Sequence, residues 1–157
     1  MKLFAGPGID GRVKIAASPC WLLNTYRQIK PDDCEACGLL IGRVLHNGSV
    51  VVDEISEPGP TDKRSRFGCT LEDPSHQQMA DKLHSDSGGC VGILGHWHTH
   101  PEPIPTPSSI DLNDWRRRLQ NDVYNDNRLL FVIVGTERTR MWLGSRDGTI
   151  SELTQVS

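Results

Sequence analysis

The sequence predicts an α/β fold, with one mixed β-sheet and helices packed on it. Strand-length apolar runs alternate with amphipathic segments at helical spacing, in the order βαββ(β)αβαβββ. The length of 157 residues suits a single domain, 1–157, around one core. No internal repeat or low-complexity run points instead to a solenoid or a bundle.

Residues 11–17 alternate polar and apolar, as a strand does. Ser18-Pro19 then supplies a capping hydroxyl and a proline suited to a first helical turn. Trp21, Leu22, Tyr26 and Ile29 recur at helical spacing and are expected to face the core, and Pro31 ends the helix. Residues 38–45 and 49–55 read as two strands joined at His46-Asn47-Gly48, where asparagine and glycine tolerate the positive φ of a tight turn. Residues 57–66 read as a Pro/Gly-rich and then charged loop, and 67–70 as a short strand.

Asp73-Pro74 opens a second helix with Met79, Ala80 and Leu83 on one face, and Gly88-Gly89 closes it. Residues 90–95 form a buried strand that carries histidines at its end. The four prolines of 101–107 exclude both helix and strand there. Ser108 opens a third helix with Leu112, Trp115 and Leu119 inward. Residues 128–134, 138–143 and 149–153 supply the last strands, with Asp147-Gly148 turning the chain between the final two.

Composition narrows the function classes. A net charge of −3 argues against a broad nucleic-acid surface, and the basic runs at 63–66 and 116–118 read as a solvated loop and helix face. No stretch reaches the roughly 20 apolar residues of a membrane span. The first eight residues lack the apolar centre of an export signal, so a cytoplasmic protein without a membrane partner is expected. The five cysteines, odd in number and scattered, are expected to be reduced and partly buried. Cys34-x-x-Cys37 lacks a second ligand pair and precedes a strand, so neither a structural zinc site nor a thioredoxin-like site fits it.

Chemistry concentrates at Gly95-His96-Trp97-His98-Thr99-His100-Pro101 and Pro107-Ser108-Ser109-Ile110-Asp111. On a strand, residues two apart share a face, so His98 and His100 can reach one ion. Asp111 can join them from the helix start, giving an N, N, O set with a fourth position open for water, as in catalytic zinc sites. Glu35, just ahead of an apolar strand, is the candidate general base. Taken piece by piece, the residues allow other readings. His96 shares the same face and could pair with His98 instead. Ser108-x-x-Asp111 is also a capping box.

The combination resembles the JAMM motif of the JAB/MPN metalloproteases: His98-x-His100, seven residues, Ser108, two residues, Asp111. Residues 35–42, Glu-Ala-Cys-Gly-Leu-Leu-Ile-Gly, resemble the family's glutamate segment, and the Trp-His-Thr-His-Pro phrasing is similar to its stand-alone prokaryotic branch. The resemblance implies a curved mixed sheet of the cytidine-deaminase-like MPN type. It implies one zinc per chain held by His98, His100 and Asp111. Glu35 would act as general base and Ser108 would stabilise the oxyanion; Cys37 would be a packing residue and His96 no ligand. The implied activity is cleavage of the amide bond between a target and the C-terminal tail of a ubiquitin-like protein or a conjugated cyclic-nucleotide synthase. Tyr26, Trp21 and residues 57–66 are candidate recognition elements. The deconjugating peptidases of antiphage operons, which occur beside activating-like and conjugating-like (E1/E2-like) enzymes, are the nearest likeness. Related alternatives are a sulfur-carrier-processing peptidase, which Glu-Ala-Cys-Gly resembles, the phage tail-assembly and RadC-like types, and a metal-free MPN scaffold.

Overall fold

Residues 1–124 and 126–157 are described by a computed structural model. In chain order the elements are β1 (Lys2–Ala5), β2 (Val13–Ile15), α1 (Ala17–Thr25), β3 (Cys37–Val44), β4 (Val50–Ile55), β5 (Lys63–Ser65), β6 (Gly68–Thr70), α2 (Ser75–Asp86), β7 (Gly92–Thr99), α3 (Ser109–Asn121), β8 (Arg128–Val134), β9 (Thr139–Ser145) and β10 (Ile150–Gln155). The predicted α/β class with a mixed sheet is what forms. Its curvature runs to closure: eight strands make a ring in the order β1-β10-β9-β8-β7-β3-β4-β2, while β5 and β6 stand apart as a hairpin. β7 lies mid-sheet, antiparallel to β3 and parallel to β8.

Strand parity sorts the side chains. Phe4, Val13, Ile15, Val52, Trp97, Val132 and Met141 form one core cluster, joined by Cys20 and Leu23 of α1. The opposite face packs Phe131, Ile133 and Trp142 under Trp115 and Leu119 of α3, and Leu39 and Ile41 under Ala80 of α2. His96 and His98 alternate with Trp97 on β7 and therefore lie on the face that α3 covers. Trp97 is locked in place by its indole N–H, which donates to Ser56 O at 3.0 Å. That indole crosses directly over Gly38, where any Cβ would overlap the Ser56 carbonyl.

Several elements differ from expectation. α1 buries Pro19, Cys20 and Leu23, whereas Trp21 and Ile29 are both 66% exposed. The helix starts at Ala17 without a side-chain cap, and the proline ring inside its first turn packs inward, which rotates the buried face away from Trp21. Leu22 and Tyr26 are only partly buried. β1 is a strand beyond the sequence pattern; it pairs with both β2 and β10 and closes the ring. The stretch 57–66 is not loop throughout, because Lys63–Ser65 pairs with Gly68–Thr70. The cysteines are not all reduced, since Cys37 is disulfide-bonded to Cys69.

α3 carries the candidate residues Ser108 and Asp111 at its N-terminus and is anchored further along by Leu119, which is fully buried beside Trp115 and Leu129. Leu119→Ala is expected to cost about 2–5 kcal/mol, the usual range for a leucine cavity, read as a lower urea midpoint at unchanged slope. A cost below about 1 kcal/mol would show that α3 is held by other means.

Candidate active site

The site is built where β3, β7 and the start of α3 meet. Antiparallel register sets Cys37 opposite His98, so the chain entering β3 brings Glu35 alongside the histidines. The Glu35 backbone is fixed from two sides. Its N–H donates to Ser65 O at 2.7 Å and its carbonyl accepts from Arg64 Nε at 2.8 Å. Next to it, Ala36 N–H donates to Thr99 Oγ1 at 2.9 Å, and Thr99 N–H returns a bond to Ala36 O. The Thr99 hydroxyl then donates to the buried Gln28 Oε1 at 2.7 Å. Thr99 thus points away from the histidines, as its parity on β7 requires.

His98 Nε2 and His100 Nε2 lie 3.1 Å apart. Asp111 Oδ1 is 3.2 Å from His98 Nε2, and Oδ2 is 3.1 Å from His100 Nε2. A carboxylate oxygen of Glu35 lies within 4.8 Å of ring nitrogens of both histidines. His100 Nδ1 sits 3.0 Å from Glu102 Oε1, a contact that directs Nε2 toward the cluster. The donor set fits zinc. Zinc–nitrogen bonds of 2.0–2.1 Å in a tetrahedron put neighbouring ligand atoms about 3.3 Å apart; the two Nε2 atoms meet that spacing, Asp111 offers a different oxygen to each histidine, and the atoms of Glu35, His98 and His100 all lie within 4.8 Å of one another.

Asp111 also completes a capping box. Ser108 Oγ accepts from Asp111 N–H at 3.0 Å, while Asp111 Oδ2 accepts from Ser108 N–H at 2.8 Å. The two readings of Ser108-x-x-Asp111 are therefore one geometry: the cap fixes the carboxylate, and the carboxylate faces both histidines. Ser108 is exposed and lines the cleft. Its hydroxyl accepts from Asp111 and keeps its own proton to donate.

The two carboxylates are driven apart electrostatically. Glu35 is 6% exposed, and burial, only partly countered by His98 and His100, pushes its carboxyl up to about 7. Burial would also raise Asp111, but hydrogen bonds from His100 and His98 outweigh it and hold that carboxyl well below the usual carboxylate range. Burial would lower His100, yet its bonds to Asp111 and Glu102 raise it to about 9. His96 is placed elsewhere: Nε2 is 3.4 Å from Asp122 Oδ2, the ring stacks on Phe131, and burial pushes it toward the neutral form.

A cleft of about 620 Å³ opens over the cluster. One wall is the hairpin segment 67–71; the other is the first turns of α3 with Ile110, Asp114 and Arg117. Trp21 and Tyr26 do not line it. Tyr26 instead packs on Trp97 and donates its hydroxyl to Glu57.

The family described as prokaryotic homologs of the JAB domain matches residues 28–144. This chain belongs to the prokaryotic JAB-domain family. The match spans Glu35, His98, His100, Ser108 and Asp111. Among relatives of the chain, a "CD-NTase/cGAS isopeptidase" from Escherichia coli (strain TW11681) is 36% identical, over 87% of this chain and 83% of the relative. One of the same name from Vibrio cholerae serotype O1 is 38% identical over 80% and 76%. In structure, a Desulfitobacterium hafniense protein solved in solution is similar with a TM-score of 0.61 and 25% identity, covering 89% of this chain and 88% of that one. A Salinibacter ruber protein at 18% identity and a TM-score of 0.51 shares the fold.

Sequence reading of this JAB chain missed the supports of the site: Gln28, Arg64, Thr99 and Glu102. Glu102 was findable, since a carboxylate two residues past a candidate ligand histidine is a natural partner for its other ring nitrogen. Arg64 and Gln28 act through backbone carbonyls of distant segments, and no local pattern announces that.

Proposed function

We propose that the chain is a zinc-dependent isopeptidase. It removes a cyclic-nucleotide synthase, or a ubiquitin-like protein, from targets to which its C-terminus has been conjugated. The supporting observation is the cluster in which His98, His100 and Asp111 stand at ligand spacing with a buried Glu35 beside them. The names of the relatives support the choice of conjugate. The role belongs in antiphage defence, opposite activating-like and conjugating-like enzymes.

One zinc, held by His98, His100 and Asp111, would supply Lewis acidity and would lower the pKa of a water molecule there to about 7. Asp111, anionic at every working pH, suits a ligand. Glu35, with a carboxyl near 7, suits proton exchange: it takes the proton from water and delivers it to the leaving amine. Ser108 donates its hydroxyl proton to the carbonyl oxygen as charge develops there. The substrate tail lies in the cleft between the hairpin and α3. The main sheet is a closed ring, so a tail cannot extend it. The hairpin offers free edges, since β5 and β6 pair only with each other among the described residues, and the tail adds as an extended strand on β6, the strand that lines the cleft.

The test is a fusion of a synthase C-terminal tail to a reporter lysine through an isopeptide bond. Cleavage is expected, abolished by a zinc chelator and restored by added zinc. Undiminished cleavage in chelator overturns the metal assignment, and an intact bond at saturating zinc overturns the isopeptidase reading.

A further inference from the structure

We propose that Cys37 and Cys69 are a reversible thiol–disulfide site, and that their oxidation state sets whether the β5–β6 hairpin stays fastened to the cleft. The disulfide joins β3 to β6, with the two Cα atoms 6.0 Å apart. Its position matters more than its presence. Cys37 lies two residues past Glu35 and opposite His98, and Cys69 sits mid-strand in the hairpin wall; both line the cleft.

The hairpin cannot hold itself. Each of its strands has three residues, and β5 is exposed throughout; ladders that short do not persist unaided. Its base is held by Asp62, whose carboxylate accepts from Glu72 and Asp73 N–H, and Arg66 donates to Lys30 O; the bonds nearest the cleft lead back to Glu35 and Gln28. Ser65 O accepts from Glu35 N–H, Arg64 donates to Glu35 O, and Gln28 donates to Arg66 O. The segment that walls the cleft therefore also clamps the Glu35 backbone, and besides the main chain at its two ends the disulfide ties it covalently to β3 of the barrel. Oxidised, the tie holds wall and base together. Reduced, the hairpin opens locally and releases both.

The electron balance is simple. A dithiol of the thioredoxin class attacks the disulfide, leaves Cys37 and Cys69 as thiols, and is itself oxidised to a disulfide. Hydrogen peroxide reverses this, taking two electrons and two protons from the pair and leaving as two waters. Cys69 is only half-buried and faces the cleft, which gives either reagent a route in.

Three measurements on the full chain test this, with a phosphine as reductant (which takes up oxygen from water as the disulfide becomes two thiols) and zinc supplied throughout. The oxidised protein, denatured and alkylated, is expected to show three reactive thiols, Cys20, Cys34 and Cys90, and the reduced protein five. Trypsin is expected to cut after Lys63, Arg64 and Arg66 at least about tenfold faster once the hairpin is released. Hydrolysis of the tail fusion is expected to fall on reduction and to return with peroxide. Cys69→Ser should resemble the reduced protein under both conditions, and Cys34→Ser should keep the full response. Five thiols in the oxidised protein, or tryptic cutting unchanged by reduction, overturns the fastening. Unchanged hydrolysis with changed thiols and cutting overturns its control of the site. The hydrolytic arm rests on the isopeptidase reading; the thiol and trypsin arms do not. A fusion left uncut in both states, with those two arms as expected, would count against that reading alone.

Discussion

Replacing Glu35 with glutamine is expected to lower turnover of the tail fusion roughly 100- to 10,000-fold, the usual worth of a positioned general base. The amide keeps the size of the carboxylate but cannot accept the proton. With the parent protein, kcat/KM should rise with pH along a limb governed by the Glu35 carboxyl, near 7 in the metal-free protein, because only the anion is a base. Glu35→Gln should lack that limb. The same substitution is expected to raise stability. The folded carboxyl sits near 7 against an ordinary 4.5, so ionising it inside the fold costs about 3 kcal/mol. A raised carboxyl leaves stability intact below pH 4.5 and drains it as pH climbs through 7. Urea melts of the zinc-free proteins should therefore coincide at pH 4 and separate by up to about 3 kcal/mol at pH 9, with the glutamine variant the more stable. Retained turnover, or coincident melts at pH 9, would remove Glu35 from the base role.

The second large effect separates the two duties of Asp111. Asp111→Asn keeps a side-chain oxygen that accepts from Ser108 N–H, so the capping box survives, but it gives up the ion pairs with His98 and His100, so the zinc-free protein should melt lower near neutral pH. Zinc affinity should fall by at least about 100-fold, since even an outer partner of a ligand is worth 10- to 100-fold. Asp111→Ala loses the cap bond as well, adding about 1 kcal/mol of destabilisation. Elemental analysis after gel filtration reads the metal, and calorimetry reads the cap. Full zinc content in Asp111→Asn would leave Asp111 a helix cap and nothing more.

Much of this was legible in the sequence because the signals are local. The His98/His100 pair follows from strand parity, and the Ser108 cap from residue type and spacing. The apolar run at 128–134 became β8 at those bounds, six of its seven residues buried. The illegible parts depend on partners distant in the chain. β5 reads Lys-Arg-Ser and has no apolar face; it exists because Glu35 and Cys37 give Ser65, Arg64 and β6 something to hold. Trp21 has the composition of a core residue and sits exposed, because Pro19 and Cys20 took the inward face of α1. The Cys37–Cys69 pairing spans 32 residues, and nothing near either cysteine marks it. Bringing Glu35 to the histidines needed the β3–β7 register, which a sequence pattern suggests but does not fix.

Ring closure has a kinetic consequence. β1 pairs with β10, Leu3 N–H donates to Ser157 O, and Val156 N–H donates to Leu3 O. The contact that seals the barrel is thus among the most distant in the chain, while β8, β9 and β10 can zip together locally. Loop entropy makes such a closure slow and late. Until β10 has been synthesised, β1 has one of its two neighbours missing, and the nascent chain carries an open sheet edge. Closure therefore acts as the commitment step of folding: before it the chain can be captured by other strands, and afterwards, among the described residues, the unpaired strand edges are those of the β5–β6 hairpin beside the cleft.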